Sequence, residues 1–519
     1  MIFKGRSKKE GDKGKRRSST ARWHRWIGLF FTLFILVFAI SGIFLNHRKA
    51  ISSIDVPRSW LPKSYQYINW NNASVKGSTK LSPDSILLFG GNGIWLTDSV
   101  LSFFTPFNQG MKKGVDNQIT HNVLKTSSGA VFAVTTFDCY QYDFSTNSWK
   151  SHSDKIKTEE RLADLASHHD TLVVLSRSHG YISQPPYAYF EKVTLANTKE
   201  GKQEVSLFKT LWTFHSGELF GLLGKLWVDF LGVITIILGL TGLLLFFTPR
   251  LIRRRRKVQK PTFSLVKLFK GSLQWHNKPG YALFYLLLIL CLSGMSLRPP
   301  LLISIIKIKH KPLSFTTQDK TNPWHDKLRC IRYDEFNQEW LVYTSDGLLA
   351  YENIKGTPYK LQDIPPISVM GLQVFEPKDS TTWVAGSFSG LFHWNRETGE
   401  SRDYFTGEIP EPPKMGPPVI SNPISGFSSD FKEEIAFNYF EGAQSKMSIP
   451  QMPKEFQQAG MSLWHLSLEA HTGRIYTFLP EIVILLFIPI SGILFLIVLI
   501  SGYRLYRRRH KRQRKSTTK

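Results

Sequence analysis

The chain has 519 residues, 42% of them apolar, and its 66 Lys and Arg against 40 Asp and Glu give a net charge of +26. A charge of this size often indicates nucleic-acid binding, but its distribution argues against that class. Residues 1–25, 248–278 and 503–519 contain 29 basic and two acidic residues, and the remaining chain contains 37 basic and 38 acidic residues. The excess charge therefore flanks apolar runs, as the positive-inside rule describes for short cytoplasmic segments.

Four apolar runs, at residues 27–45, 226–248, 281–297 and 482–502, are long enough to cross a membrane as helices. The predicted fold is a membrane protein with four transmembrane α-helices, built as a duplicated two-helix unit with two β-rich extracytoplasmic insertions. In chain order we predict a basic cytoplasmic N-terminus (1–26), transmembrane helix 1 (27–46), a β-rich domain (47–214), a membrane-entry segment with helix 2 (215–248), a basic cytoplasmic loop (249–278), helix 3 (279–298), a second β-rich domain (299–470), a membrane-entry segment with helix 4 (471–502) and a basic cytoplasmic tail (503–519). We expect a bacterial inner membrane, both termini in the cytoplasm and both large domains in the periplasm.

Both external segments alternate apolar and polar residues between turn-forming residues, as residues 383–394 do. This pattern predicts antiparallel β-structure with propeller-like blades, and it leaves open whether the two segments form one structure. Cys139 and Cys330 lie one in each segment, so a disulfide between them and two free thiols both remain open. No Cys/His spacing typical of zinc or iron–sulfur sites occurs.

The helices and their flanks are duplicated, which is visible as short motifs that recur at nearly constant offsets. The recurring residues are Trp23-His24, Gly28 and Ser41-Gly42 with Trp275-His276, Gly280 and Ser293-Gly294, and His215, Gly217 and Thr241-Gly242 with His471, Gly473 and Ser501-Gly502. The four Ser/Thr-Gly pairs suit close helix approach, and packing alone would explain them.

The duplication brings histidines to matching membrane edges, with His24 and His276 at the cytoplasmic edge and His215 and His471 at the external edge. Two neutral imidazoles that face each other across a helix bundle are the ligands of a membrane b-type haem, so we expect one or two haems. The alternative is that these are polar residues tolerated at an interface; their repetition among otherwise changed residues favours the ligand interpretation. Two further candidate cofactor ligands at the external edge, without counterparts in the other half, are His47 and His465.

Asp229 lies within the apolar run of helix 2, where a charge is costly, and is therefore a functional candidate. The alternative is an ion pair with Lys225, one turn earlier, that reaches the interface. The predicted cytoplasmic segments are too short for a nucleotide or flavin domain, so electrons would come from a membrane quinol or a separate reductase.

These motifs resemble the PepSY-associated transmembrane helix family, also called iron-regulated membrane proteins. The resemblance rests on residues 23–28 with Ser41-Gly42 and on residues 215–221 with Asp229 and Thr241-Gly242, and it covers the four helices and their flanks. It implies haem iron held by His24, His215, His276 and His471, and a reductase that acts on a ferric siderophore or another periplasmic acceptor. The external segments show no PepSY module.

An alternative function is a non-enzymatic, membrane-anchored sensor or accessory protein whose β-rich domains bind a periplasmic partner. A transporter subunit is a third interpretation, which the parallel repeats and the small number of helices do not favour. An absorption spectrum separates the first function from both alternatives, because only a haem protein is coloured.

Overall fold

A computed structural model describes residues 19–198, 204–320, 322–368, 370–410 and 422–517. The chain divides into two compact units, each assembled from separate stretches of sequence. We call residues 1–46, 206–308 and 470–519 the membrane unit, and residues 47–205 and 309–469 the β-unit.

The membrane unit is helical. Within the described ranges its helices and the two short helices that lead into it are, in chain order, α1 (Ser19–Asn46), α2 (Leu207–Ser216), α3 (Gly221–Lys257), α4 (Phe263–Ala282), α5 (Phe284–Ser296), α6 (Leu301–Ile305), α7 (Leu463–His471) and α8 (Glu481–Thr517). Three stretches are long and apolar enough to cross a membrane: Ser19–Asn46, Glu218–Lys257 and Glu481–His510. The chain is therefore a membrane protein with β-rich insertions.

Helices α4 and α5 together are a further candidate span, but they are bent by 69° at the break between them. The sequence predicted one continuous helix at residues 279–298. Pro279 and Gly280 precede the break, and a proline removes one hydrogen bond of the helix ladder. The equivalent residue of the first half is Ile27, where α1 continues unbroken. Hydropathy records apolar content and does not register this bend.

Among the described residues, the β-unit contains six antiparallel sheets of three or four consecutive strands, which we call blades, besides one two-stranded sheet described below. Blade 1 contains the strands Gly77–Ser82, Ser85–Gly90, Gly93–Thr97 and Thr105–Pro106. Blade 2 contains Thr120–Lys125, Val131–Thr135, Cys139–Asp143 and Ser148–Ser151. Blade 3 contains Leu162–His168, Thr171–Ser176, Gly180–Ser183 and Glu191–Val193. Blade 4 contains the strands Leu328–Asp334, Glu339–Thr344, Gly347–Tyr351 and Tyr359–Lys360. Blade 5 contains Val374–Pro377, Thr382–Ser387, Gly390–Asn395 and Ser401–Asp403. Blade 6 contains Ile424–Ser428, Ile435–Asn438 and Gly442–Gln444.

Shorter elements complete the described part of the chain. Strand Asp55–Val56 pairs with Met461–Ser462 and so joins the two insertions. The others are the two-residue strands Val205–Ser206 and Lys309–His310, the one-turn helices Val115–Gln118, Ser153–Ile156 and Lys454–Gln457, and the 3-10 helices Arg48–Ile51, Arg58–Trp60, Lys63–Tyr65 and Glu218–Phe220.

The six blades close into one ring, because a buried apolar cluster joins every blade to the next and blade 6 to blade 1. These clusters contain, in order around the ring, Phe89 and Val131, Val134 and Leu172, Val173 and Ile331, Leu341 and Phe375, Val384 and Phe427, and Phe437 and Leu88. The two insertions thus form a single six-bladed β-propeller, which answers the question that the sequence left open. Cys139 and Cys330 lie in blades 2 and 4 as buried free thiols.

The first strand of each blade contacts the first strand of the next, so these strands surround the axis of the propeller. They carry charge there: Arg332 Nη1 lies 2.6 Å from Asp164 Oδ2. Glu376 lies on the neighbouring blade. Burial raises the pKa of the Glu376 carboxyl from 4.5 to about 7, and Asp430 and Glu434 add to this rise while Arg332 opposes it.

The raised pKa of Glu376 makes the stability of the propeller depend on pH. The folded carboxyl keeps its proton up to about pH 7, whereas the unfolded one releases it near pH 4.5, so the free energy of unfolding falls between these values. The loss is at most about 3 kcal/mol. We expect Glu376→Gln to raise the melting temperature relative to wild type more at about pH 8 than at about pH 5. Thermal unfolding of the detergent-solubilised protein measures this, and an equal shift at both pH values would contradict it.

Candidate functional site

Two of the candidate histidines stand at the ends of short helices. His215 lies in the last turn of α2, and His471 is the last residue of α7. Gly217 and Gly473, each two residues after its histidine, have φ of 80° and 78°. A left-handed residue closes a helix and turns the chain, and glycine adopts that conformation without strain. The repeated His-x-Gly motif is therefore a helix end that carries an imidazole.

The four repeated histidines form two pairs within the membrane unit. The ring centres of His24 and His276 are 6.1 Å apart, and those of His215 and His471 are 6.3 Å apart. Both pairs join a residue of the first half of the chain to its duplicate in the second half. The structure brings together the same partners that the duplication suggested.

Each of the four imidazoles is held at Nδ1 by a backbone carbonyl of another helix. These contacts are His24 to Val498 at 3.1 Å, His276 to Leu238 at 3.0 Å, His215 to Leu290 at 3.1 Å and His471 to Phe38 at 3.1 Å. Because a carbonyl oxygen only accepts, Nδ1 carries the proton in all four rings. Nε2 then holds the lone pair, which is the form of histidine that binds a metal.

A hydroxyl three residues after each carbonyl contacts the same Nδ1 atom. The hydroxyls are Ser501 with His24 at 3.0 Å, Thr241 with His276 at 3.2 Å, Ser293 with His215 at 3.1 Å and Ser41 with His471 at 3.0 Å. Each also donates to a backbone carbonyl of its own helix, so its oxygen accepts from the imidazole.

A glycine follows every one of these hydroxyls and leaves room for the ring. A Cβ atom placed on Gly42, Gly242, Gly294 or Gly502 would lie 3.3, 3.4, 2.7 or 3.0 Å from Cε1 of the facing imidazole. We call each set of carbonyl, hydroxyl and glycine an imidazole seat. The four seats lie on α1 (Phe38, Ser41, Gly42), α3 (Leu238, Thr241, Gly242), α5 (Leu290, Ser293, Gly294) and α8 (Val498, Ser501, Gly502).

The seats are the part of the site that sequence reasoning missed. The sequence shows the four Ser/Thr-Gly pairs, but helix packing alone is a sufficient explanation for them at that level. Their signal was that each pair recurs together with a histidine in the duplication. The hydrogen bonds could not be read from the sequence, because His24 and Val498 are 474 residues apart along the chain.

The remaining predicted residues lie elsewhere. His47 precedes the 3-10 helix Arg48–Ile51, and its carbonyl accepts from the Ala50 amide at 3.0 Å. His465 lies on α7 with Nε2 3.6 Å from Glu469 Oε1. Both belong to the β-unit.

Asp229 lies on α3 and accepts a hydrogen bond from Asn46 Nδ2, at the end of α1, at 2.9 Å. The Lys225 ammonium lies 4.0 Å from Glu218 Oε2. The described contact of Asp229 therefore joins two long helices of the membrane unit.

An arrangement of two neutral imidazoles per site can ligate one metal ion from two sides. A metal with bonds of about 2 Å to each nitrogen sets the two ring centres about 6 Å apart, which matches both pairs. The hydrogen bond from Nδ1–H to a carbonyl fixes the ring orientation and raises the basicity of Nε2.

Three solved structures are weakly similar to the chain. An extracellular domain from B. thetaiotaomicron, assigned to a hybrid two-component system, aligns with 75% of the chain at 11% identity and a TM-score of 0.34. The Mitotic Checkpoint Complex aligns with 73% of the chain at 7% identity and 0.33, and the N-terminal domain of Nup159 with 73% at 10% identity and 0.28. These alignments cover 34%, 78% and 90% of those chains.

Comparison by sequence gives a clearer result. No curated protein matches the chain. The profile of the PepSY-associated TM region, however, matches residues 21–509, which is nearly the whole chain and includes both halves of the duplication. The chain therefore belongs to the PepSY-associated TM region family.

Proposed function

We propose that this protein binds b-type haem at two sites in a bacterial inner membrane and transfers electrons outward to a periplasmic acceptor, such as a ferric chelate or siderophore. One observation carries the proposal: two imidazole pairs, with ring centres 6.1 and 6.3 Å apart, are held by four seats of the same construction. Bis-histidine ligation is the usual way in which membrane helices hold haem b.

The residues fit haem by three criteria. The ring separation suits one iron between two imidazoles. The carbonyl at each Nδ1 selects the tautomer that ligates iron. The surroundings are apolar: Phe38 packs edge-on against His471 with ring centres 5.7 Å apart. His24, His276, His215 and His471 would hold the groups, and haem, when bound, supplies a one-electron carrier at each level.

The two levels are well separated along the helix axis. On α1, His24 and the seat of His471 at Phe38–Gly42 are about 25 Å apart at the helical rise per residue. Two carriers at these levels span most of a hydrocarbon core of about 30 Å. This spacing supports transfer across the membrane rather than along one surface.

The proposed topology has four membrane crossings, with α4 and α5 as one bent crossing. The basic segments at residues 1–25, 248–278 and 503–519 support a cytoplasmic position for both termini and the α3–α4 loop. The propeller then lies in the periplasm, where it would meet the ferric chelate or a protein partner. The donor would be a membrane quinol or a separate reductase.

Removal of one histidine from a pair tests the haem sites. We expect His276→Ala and His471→Ala each to lower the haem-to-protein ratio to about half of the wild-type value, because each leaves one pair intact. The reduced-minus-oxidised absorption spectrum of the purified protein measures the ratio. His465→Ala is the matched control and should keep the wild-type spectrum, because its side chain lies in the β-unit beside Glu469.

A wild-type protein without b-haem absorption bands would refute the proposal. That result would favour the second function, a membrane-anchored sensor or accessory protein whose propeller binds a periplasmic partner. Wild-type haem content in both histidine variants would reject the ligand assignment while leaving a haem protein.

The glycines of the seats allow a second test with a built-in control. An alanine Cβ at Gly294 would lie 2.7 Å from Cε1 of His215, so the imidazole must move, whereas at Gly242 the distance to His276 is an ordinary 3.4 Å. We expect Gly294→Ala to weaken haem retention about tenfold or more, and Gly242→Ala to retain haem as wild type does. The rate of haem loss to an excess of a haem-scavenging protein measures both. Equal loss from the two variants would contradict the role of the seats.

A further inference from the structure

A cleft of about 410 Å³ lies between α3 and α4 in the membrane unit. Ile237 and Thr241 of α3 form one wall, and Leu268, Gly271, Ser272 and Trp275 of α4 form the other. Trp275 and Leu268 are 59% and 43% exposed, so the cleft opens away from the helix bundle, on the side that lipid would cover. Its volume lies within the range of about 300 to 1,000 Å³ that is usual for small-molecule sites.

Ser272 is a buried polar residue in this apolar cleft. It is only 5% exposed, and its hydroxyl has no hydrogen-bond partner among the described residues. By contrast, Thr235, Thr241 and Thr248 on α3 each donate to the carbonyl four residues earlier. A hydroxyl that lines an apolar cleft and makes no protein hydrogen bond can bind a polar group of a molecule in that cleft.

The cleft is directly connected to one of the imidazole seats. Thr241 lines the cleft, and its hydroxyl lies 3.2 Å from Nδ1 of His276. Ser272 precedes His276 by one helical turn on α4. A ligand in contact with Thr241 and Ser272 would therefore be one side chain away from the imidazole.

Thr241 and Trp275 of the cleft recur in the duplication, whereas its wall at Leu268 and Ser272 does not. At the constant offset of 252 residues, Ser272 corresponds to Thr20 and Leu268 to Arg16, and residues 11–17 contain four basic residues where 263–269 are mainly apolar. His24 nevertheless has a complete seat at Val498, Ser501 and Gly502. His24 and His276 thus have seats of the same construction although the sequences before them differ, so the apolar wall at Phe263–Phe269 serves another purpose.

We propose that this cleft binds the ring of a lipid-soluble quinol, which makes the electron donor a quinol rather than a separate reductase. The inference rests on the proposed function. A quinol ring is flat and apolar with polar oxygens at two ends. Its faces suit the apolar walls of the cleft and one oxygen can hydrogen-bond the Ser272 hydroxyl, while its isoprenoid tail remains in the lipid. A phospholipid acyl chain has no group for the Ser272 hydroxyl. Oxidation of one quinol to the quinone releases two electrons and two protons, which balances the reduction of two ferric ions to ferrous ions.

The test uses the full-length protein, purified with its haem, and a short-tailed benzoquinone as the probe. Ser272→Leu fills the cleft and removes its free hydroxyl, and Thr20→Leu makes a comparable change at the duplicate position. We expect wild type and Thr20→Leu to bind the probe with equal affinity in calorimetric titration, and Ser272→Leu to bind it about tenfold or more weakly. Ser272→Ala, which leaves the cleft open, should weaken binding less than Ser272→Leu does.

Haem content, measured from the absorption spectrum of each variant, separates the two levels of the proposal. Two results would overturn the quinol site and leave the haem proposal standing. In the first, the haem-loaded variants all bind the probe with equal affinity. In the second, phosphatidylglycerol at the same concentration displaces the probe. A colourless wild-type protein that binds the probe through Ser272 would refute the haem proposal and retain the cleft as a quinone site. If Ser272→Leu loses its haem, the comparison of Ser272→Ala with wild type decides, and equal affinity overturns the site.

Discussion

The membrane unit depends on one interaction that occurs four times: the hydrogen bond from an imidazole Nδ1–H to a backbone carbonyl of another helix. A carbonyl inside a helix already accepts from the amide four residues later, and its second lone pair is free for a further donor. The serine or threonine three residues on shares the same proton, and the glycine beside it admits the ring. The carbonyl thereby sets both the tautomer and the direction of Nε2, which are the two properties that a metal ligand needs.

Every one of these contacts crosses from one half of the duplication to the other. His24 and His215 belong to the first half and have their seats on α8 and α5, and His276 and His471 belong to the second half and have their seats on α3 and α1. Each imidazole pair likewise joins one residue of each half, and the propeller takes three blades from each insertion. This is the arrangement of a twofold dimer within a single chain. Neither half alone would contain a pair, a filled seat or a closed ring of blades.

The sequence predicted those features that depend on periodicity or repetition. The apolar runs of α1, α3 and α8 were found from hydropathy, and the histidine partners were found because two copies of each motif stand at a fixed offset. The 69° bend between α4 and α5 was missed, since Pro279 disturbs the backbone without changing the apolar composition. The sequence also did not predict that the propeller closes into a ring. Phe437 and Leu88 pack in one cluster although almost 350 residues separate them, and no local pattern encodes that contact.

The differences between the halves are as informative as their likeness. The histidines, seats and helix-ending glycines are present in both copies, and each imidazole pair takes one ring from each copy. The segment before the histidine differs between the halves: residues 11–17 are mainly basic, whereas Phe263–Phe269 form the mainly apolar first turns of α4. In a duplicated chain, the sequence of one copy can change without the other wherever only that copy contacts a ligand. The bend that follows Pro279 and the cleft at Ser272 both lie in the second half of the chain. The segment before the histidine is therefore where the two halves would differ in function.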